Sequence, residues 1–265
     1  MGLTGFRKWA DIFNRCAAGD NTALRDMTLR DRFEYAAWAA QETGGRLGVL
    51  TSLGAQAIVN LHAAREAQAD IPVAFIDTGF QHLETLAYRD DLVGAGYPVQ
   101  TVQPLPDNAL RAQELVDRYR PVWEKVARDD WMLDASDAFD ALAGLVKREP
   151  HARVQKDVGV SVWATGRRRD QATSRAELPI FAFDGQGVLT EFNPLADMTS
   201  KDIYQYQKAH DLLDLQHPLV KQGASAIGYA WEDPYVAKGE CGMHVQTPQT
   251  GQIVDVVGKP LLRHA

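Results

Sequence analysis

A chain of 265 residues, 45% hydrophobic and 24% charged, has an ordinary globular makeup and enough length for one substantial core. Its net charge of −7 argues against the extended positive surface that nucleic acids and anionic membranes demand. Two cysteines, Cys16 and Cys241, exclude a disulfide framework and a four-cysteine metal or iron–sulfur site, so any redox chemistry runs through a single thiol.

The opening segment, MGLTGFRKWADIFNR, has no apolar run after its first charges. Neither a secretory signal nor a membrane span is expected, and the chain reads as cytoplasmic. Residues 21–43 place Leu24, Met27, Leu29, Phe33, Ala36, Ala37 and Ala40 at helical spacing before the stop signal Gly44-Gly45. Leu47 to Thr51 reads as a strand, Ser52-Leu53-Gly54 as a turn, and Ala55 to Glu66 as a helix. The order repeats with a strand at 73–76, the turn Asp77-Thr78-Gly79, a helix from about His82 to Val93, and a strand at 98–102. Alternation of this kind predicts a parallel sheet with helices on both faces.

Residues 109–148 read as mainly helical, ending at Pro150, and Val160 to Ala164 as a buried strand. Residues 179–184 and 188–192 flank Gly185-Gln186-Gly187 as a hairpin. Thr199 with Asp202 makes a capping box for a helix to about His210. Periodicity fades after His217-Pro218, so the last stretch is expected to be loop-rich. The expected organisation is a helical segment over 1–43, an α/β domain over 44–220, and a mobile segment over 221–265 that carries Cys241.

Ligands of open parallel sheets bind beyond the carboxyl ends of the strands, which singles out three segments. Ser52 to Ala57 joins a strand to a helix; Gly54 lets backbone N–H groups turn toward an anion, although small residues there also serve close packing. Gly166 to Arg175, GRRRDQATSR, puts four arginines after a strand of an acidic protein, which suits a polyanion; the alternative is a solvated basic turn. Asp77, Thr78, Gly79, Glu84 and Thr85 suit a ribose or adenine edge, or simply a turn and a helix cap. Lys147, Arg148, Glu149 and Arg153 add a polar group near Pro150. Glu240-Cys241-Gly242-Met243-His244 sets a thiol near a histidine whose charge would favour the thiolate, with Glu240 opposing. Cys16, beside Ala17 and Ala18, reads as the structural thiol.

In this order the segments resemble the phosphoadenylyl-sulfate and adenylyl-sulfate reductases, thioredoxin-dependent members of the adenine-nucleotide alpha-hydrolase superfamily. The likeness runs from about Arg30 to His244 through TSLGAQA, IPVAFIDTGF, KREP, GRRRDQATSR, NPL, HPL and ECGMH. It implies a Rossmann-like parallel-sheet fold and reduction of a sulfonucleotide to sulfite, with Cys241 attacking the sulfate sulfur and His244 beside it. It implies that Arg168, Arg169 and Arg175 hold the sulfate and phosphates, with Ser52, Gly54 and Gln56 in a modified phosphate loop, and that Asp77, Thr78, Gly79, Glu84, Lys147, Gly166 and Gln171 also bind the substrate. Thioredoxin or glutaredoxin would supply electrons, no metal or cofactor would be bound, and a homodimer is usual among similar proteins.

Relatives acting on adenylyl sulfate commonly hold a four-iron cluster on two cysteine pairs. Where the second pair belongs, this chain reads Ile227 to Tyr235, aromatic and without a thiol. Within the resemblance, that absence and the extra Arg167 favour the 3′-phosphorylated substrate over adenylyl sulfate. Two other readings stay open: an ATP-dependent adenylyl or sulfur transferase, which Gln56 in place of the usual aspartate weakens, and a non-catalytic nucleotide sensor.

Overall fold

The computed structural model of the chain describes residues 3–20, 22–123, 136–224, 227–232, 234–235, 245–246, 253–254 and 260–261. It opens with helices α1 (Leu3–Ala17), α2 (Thr22–Arg25) and α3 (Leu29–Glu42). The expected single helix over 21–43 is therefore broken, and the cause is a cap. The Thr28 hydroxyl accepts from the Asp31 N–H while the Asp31 carboxylate accepts from the Thr28 N–H, so a new helix starts there.

Strand β1 (Leu47–Thr51), helix α4 (Ala57–Ala67), β2 (Val73–Ile76), α5 (Leu83–Gly94) and β3 (Val99–Val102) follow the expected alternation. Helix α6 (Pro106–Trp123) comes next, then α7 (Ser136–Ala143), a π-helical turn (Gly144–Arg148) and α8 (Glu149–Val158). Helix does not end at Pro150, as the sequence predicts. That proline is the second residue of α8 and directly follows the π-helical turn, so the helical path runs through it. Strands β4 (Val162–Ala164), β5 (Phe181–Phe183) and β6 (Leu189–Phe192) precede α9 (Ser200–Ala209), whose Thr199–Asp202 capping box forms as expected. Beyond His217 regular structure is sparse among the described residues: helix α10 (Pro218–Lys221) and the two-residue strands β7 (Val245–Gln246), β8 (Ile253–Val254) and β9 (Pro260–Leu261), which pair antiparallel.

The main sheet has the order β3-β2-β1-β4-β6-β5. β1 with β4 and β4 with β6 are parallel, and the β5–β6 hairpin is antiparallel. The chain forms two compact units, residues 1–74, 91–100 and 158–216 in the first and 75–90, 101–157 and 217–265 in the second; β2 and β3 each run from one into the other.

The first unit is held by an aromatic core in which Phe181 stacks on Phe192 at 4.6 Å and takes the edge of Tyr35 at 5.1 Å. Buried Arg32 of α3 forms a two-pronged ion pair with Asp197, at 2.7 and 2.9 Å, and donates to the carbonyls of Leu24 and Pro194. Asn193 adds a second tie: its amide donates to the Pro179 carbonyl and to Glu191, while its carbonyl oxygen accepts from Thr165. The Asn-Pro-Leu segment thus secures the chain next to the end of β4. The second unit packs Val116, Trp123, Phe139, Leu142, Val146 and Tyr229 into a separate core. No helix among the described residues is long and apolar enough to cross a membrane.

Candidate active site

In the first unit, the turn after β1 departs from ordinary backbone geometry. Leu53 has φ +59°, a left-handed conformation that costs a non-glycine residue about 1–2 kcal/mol. Two features hold it there: the Leu53 side chain is fully buried, and its N–H donates to Thr51 Oγ1 at 3.0 Å. The twist leaves Ser52 exposed and is followed by Gly54, whose carbonyl accepts the first N–H of α4, from Ala57. Gln56 does not cap α4 through its side chain. Its amide donates instead to the Gly166 carbonyl at 2.7 Å, tying the turn after β1 to the turn after β4. A Cβ at Gly166 would lie 3.2 Å from Gln56, close enough that the Gln56 side chain would have to give by a few tenths of an ångström.

The arginine segment that begins at Gly166 divides by partner. Arg167 turns to Glu191 of β6 and donates through Nε to Thr165 at 3.2 Å, its side chain 11% exposed. The extra arginine thus takes part in the β4–β6 contact. Arg168, 7% exposed, donates to Asp170 and to Ser200, both at 3.0 Å. Asp170 in turn accepts from the Ser200 N–H at the start of α9. Arg169 donates to the Leu178 carbonyl and Arg175 to Gln171 Oε1. That same Gln171 oxygen accepts the Arg168 N–H, so Gln171 fixes both the turn and Arg175. Two buried guanidinium groups, at 168 and 175, are therefore held in set orientations by short-range contacts. Such preorganised forks suit phosphate or sulfate oxygens.

In the second unit, the Asp77-Thr78-Gly79 turn employs its own side chains. Asp77 accepts from the Gly79 N–H and from Gln103, both at 3.0 Å, and Thr78 Oγ1 accepts from the Phe80 N–H. Gly79 adopts φ +80°. These contacts realise the turn-building alternative for the Asp77 and Thr78 side chains. Glu84 is exposed on the first turn of α5. Thr85 is fully buried against His217, whose Nδ1 accepts from the Leu219 N–H; the neutral ring therefore donates from Nε2 to Thr85 Oγ1 at 3.0 Å. Burial first, and then the neighbouring His82, push the His217 pKa down to about 4, so the ring stays neutral at ordinary pH. Lys147, in the π turn, is 8% exposed with its ammonium 4.2 Å from the centre of the Tyr229 ring. Nothing in the sequence signals that pairing, because an aromatic residue in a loop-rich segment carries no periodicity.

Of the two thiols, Cys16 is 2% exposed, and burial pushes it up to about 11, the pairing with Tyr35 opposing. It is a packing residue. Cys241 and His244 lie outside the described residues.

Residues 46–232 match the family described as phosphoadenosine phosphosulfate reductase domain. A phosphoadenosine 5′-phosphosulfate reductase of Vibrio vulnificus (strain CMCP6) is 33% identical over 241 residues, 84% of this chain and 84% of that protein. One from Synechocystis sp. is 34% identical over 235 residues, 82% of this chain and 88% of the other. The crystal structure of a phosphoadenylyl-sulfate reductase from Candida auris, a phosphate complex, matches with a TM-score of 0.60 at 22% identity, over 82% of this chain and 95% of that one. That is a likeness of fold.

Proposed function

The chain belongs to the phosphoadenosine phosphosulfate reductase family, and on that basis we propose that it reduces 3′-phosphoadenylyl sulfate to sulfite through Cys241. The observation that carries the proposal is an arrangement in the first unit suited to an anion. A strained turn beside the start of α4 is tied by Gln56 to Gly166, and the segment after it holds Arg168 and Arg175 buried and oriented. With Cys16 buried and poorly ionised, Cys241 is the thiol left for chemistry.

The Cys241 thiolate attacks the sulfate sulfur. A sulfur–sulfur bond forms, the bond from sulfur to the phosphate oxygen breaks, and adenosine 3′,5′-bisphosphate leaves with that electron pair. Arg168, Arg169 and Arg175, with Ser52 and the turn N–H groups, hold the phosphate and sulfate oxygens and stabilise the charge gathering on the leaving group. His244 favours the thiolate over the thiol. The cysteine thiosulfonate is then attacked at Cys241 Sγ by a thiol of thioredoxin or glutaredoxin, which expels sulfite; the second thiol of that dithiol resolves the mixed disulfide. One thiol on this chain accounts for the covalent step, and the external dithiol supplies both electrons. Adenylyl sulfate is the competing substrate.

Incubation of the purified chain with 3′-phosphoadenylyl sulfate in the absence of reductant is expected to add one sulfonate, located by peptide mass spectrometry on the Cys241 peptide and removed by reduced thioredoxin. An unmodified Cys241 peptide, with bisphosphate nonetheless released, would contradict the covalent route.

A further inference from the structure

Gln207, near the end of α9, is 1% exposed, and both ends of its amide are engaged within the first unit. Its Nε2 donates at 3.2 Å to the carbonyl of Ala55, in the turn after β1, and its Oε1 accepts from Nε2 of Gln216. A carbonyl can only accept, so the Ala55 oxygen fixes which way round the Gln207 amide lies, and Gln216 satisfies the end left over. Asp211 brings Gln216 into place. It takes φ +55°, the left-handed conformation that closes a helix, and the Leu212 N–H donates back to the Gln207 carbonyl at 2.8 Å. The chain reverses there, and one 3₁₀ turn, Leu213–Leu215, carries it to Gln216.

The grip on Ala55 decides where the next N–H points. No peptide bond among the described residues is cis, so the Gln56 N–H is directed opposite to the Ala55 carbonyl, away from Gln207. The N–H groups of Gly54, Ala55 and Gln56 find no acceptor among the described residues, and all three residues are partly exposed. Successive N–H groups left open in a turn suit an anion, and they serve it best when they need not reorient to meet it. The Gln56 side chain, held on the Gly166 carbonyl at 2.7 Å, secures the same turn from the end of β4.

We propose that Gln207, oriented by Gln216, is a positioning residue for the turn after β1: it holds the Ala55–Gln56 peptide so that the Gln56 N–H faces a phosphate or sulfate group of the substrate. The inference rests on the reading of that turn as part of a sulfonucleotide site.

The test replaces Gln207 in the full chain by methionine, which keeps the length and bulk of the side chain without its donor. Affinity for adenosine 3′,5′-bisphosphate is measured by calorimetry and that for adenosine by competition against it, with sulfite release followed in parallel. Gln207→Met is expected to weaken bisphosphate binding about tenfold while adenosine binds within about twofold of the unaltered chain, because only the phosphates meet the turn. Gln216→Leu is expected to weaken bisphosphate binding about threefold by itself and to add nothing in the Gln207→Met background. Gln216 is partly exposed, so this variant carries the same comparison of the two ligands if Gln207→Met does not fold. Bisphosphate affinity that is unchanged, losses that are equal for bisphosphate and adenosine, an additive double variant, or absence of bisphosphate binding by the unaltered chain overturns the inference. The selective loss without sulfite release from the unaltered chain would sustain the role of Gln207 and refute the reductase reaction instead.

Discussion

Replacing Cys241 by serine is expected to lower sulfite release at least about 10³-fold while leaving nucleotide affinity within a factor of about two. A serine hydroxyl is not ionised near neutrality and forms no sulfur–sulfur bond, so neither the attack nor the later thiol exchange is open to it. The other cysteine offers no rescue. Cys16 is buried in the first unit and is held as the thiol by an environment that raises its pKa to about 11. A Cys16→Ala chain should therefore turn over at close to the unaltered rate. Sulfite assay and calorimetry on the two variants check both halves of the expectation, and residual activity in Cys241→Ser would move the nucleophile elsewhere.

The second large effect is expected at Arg175. Arg175→Lys keeps the positive charge but gives up the planar fork, one prong of which rests on Gln171 Oε1. Lysine reaches an oxygen as a point charge and makes no paired contact, so kcat/KM for 3′-phosphoadenylyl sulfate should fall about 10²-fold, with kcat carrying most of the loss if the contact tightens as the leaving group gathers charge. Steady-state kinetics separates kcat from KM, and a thermal melt close to that of the unaltered chain shows that the fold is kept. An unchanged kcat/KM would remove Arg175 from the anion site.

The alternation of strands and helices was legible because β1 and β2 are short apolar runs next to segments of helical period, and because the Thr199–Asp202 box announces α9. The break at Thr28 is hidden in the sequence although Thr28 and Asp31 form the same kind of box. Apolar residues continue across it at helical spacing, and periodicity outweighed the cap. Pro150 errs in the opposite direction: it reads as a stop, yet the helical path runs from the π turn through it into α8.

At the candidate site, the sequence singles out segments but not the tasks within them. Four arginines in ten residues look equivalent on paper, and only the fold assigns Arg167 to Glu191 and Arg168 to Asp170 and Ser200. Each of those partners lies on another element or across a turn, beyond the reach of local pattern. The same holds for Asp77, whose second oxygen is taken by Gln103, and for Lys147 on Tyr229, a pairing of residues far apart in the chain. Leu53 carried no warning at all, since nothing about a leucine announces a left-handed backbone; burial of its side chain imposes it.

The most direct test of the central claim is the rate of sulfite release with reduced thioredoxin, measured side by side on 3′-phosphoadenylyl sulfate and adenylyl sulfate. The account predicts rapid release from the 3′-phosphorylated substrate and little from the other. Equal or greater release from adenylyl sulfate would contradict the substrate assignment, and no sulfite from either would contradict the reductase itself.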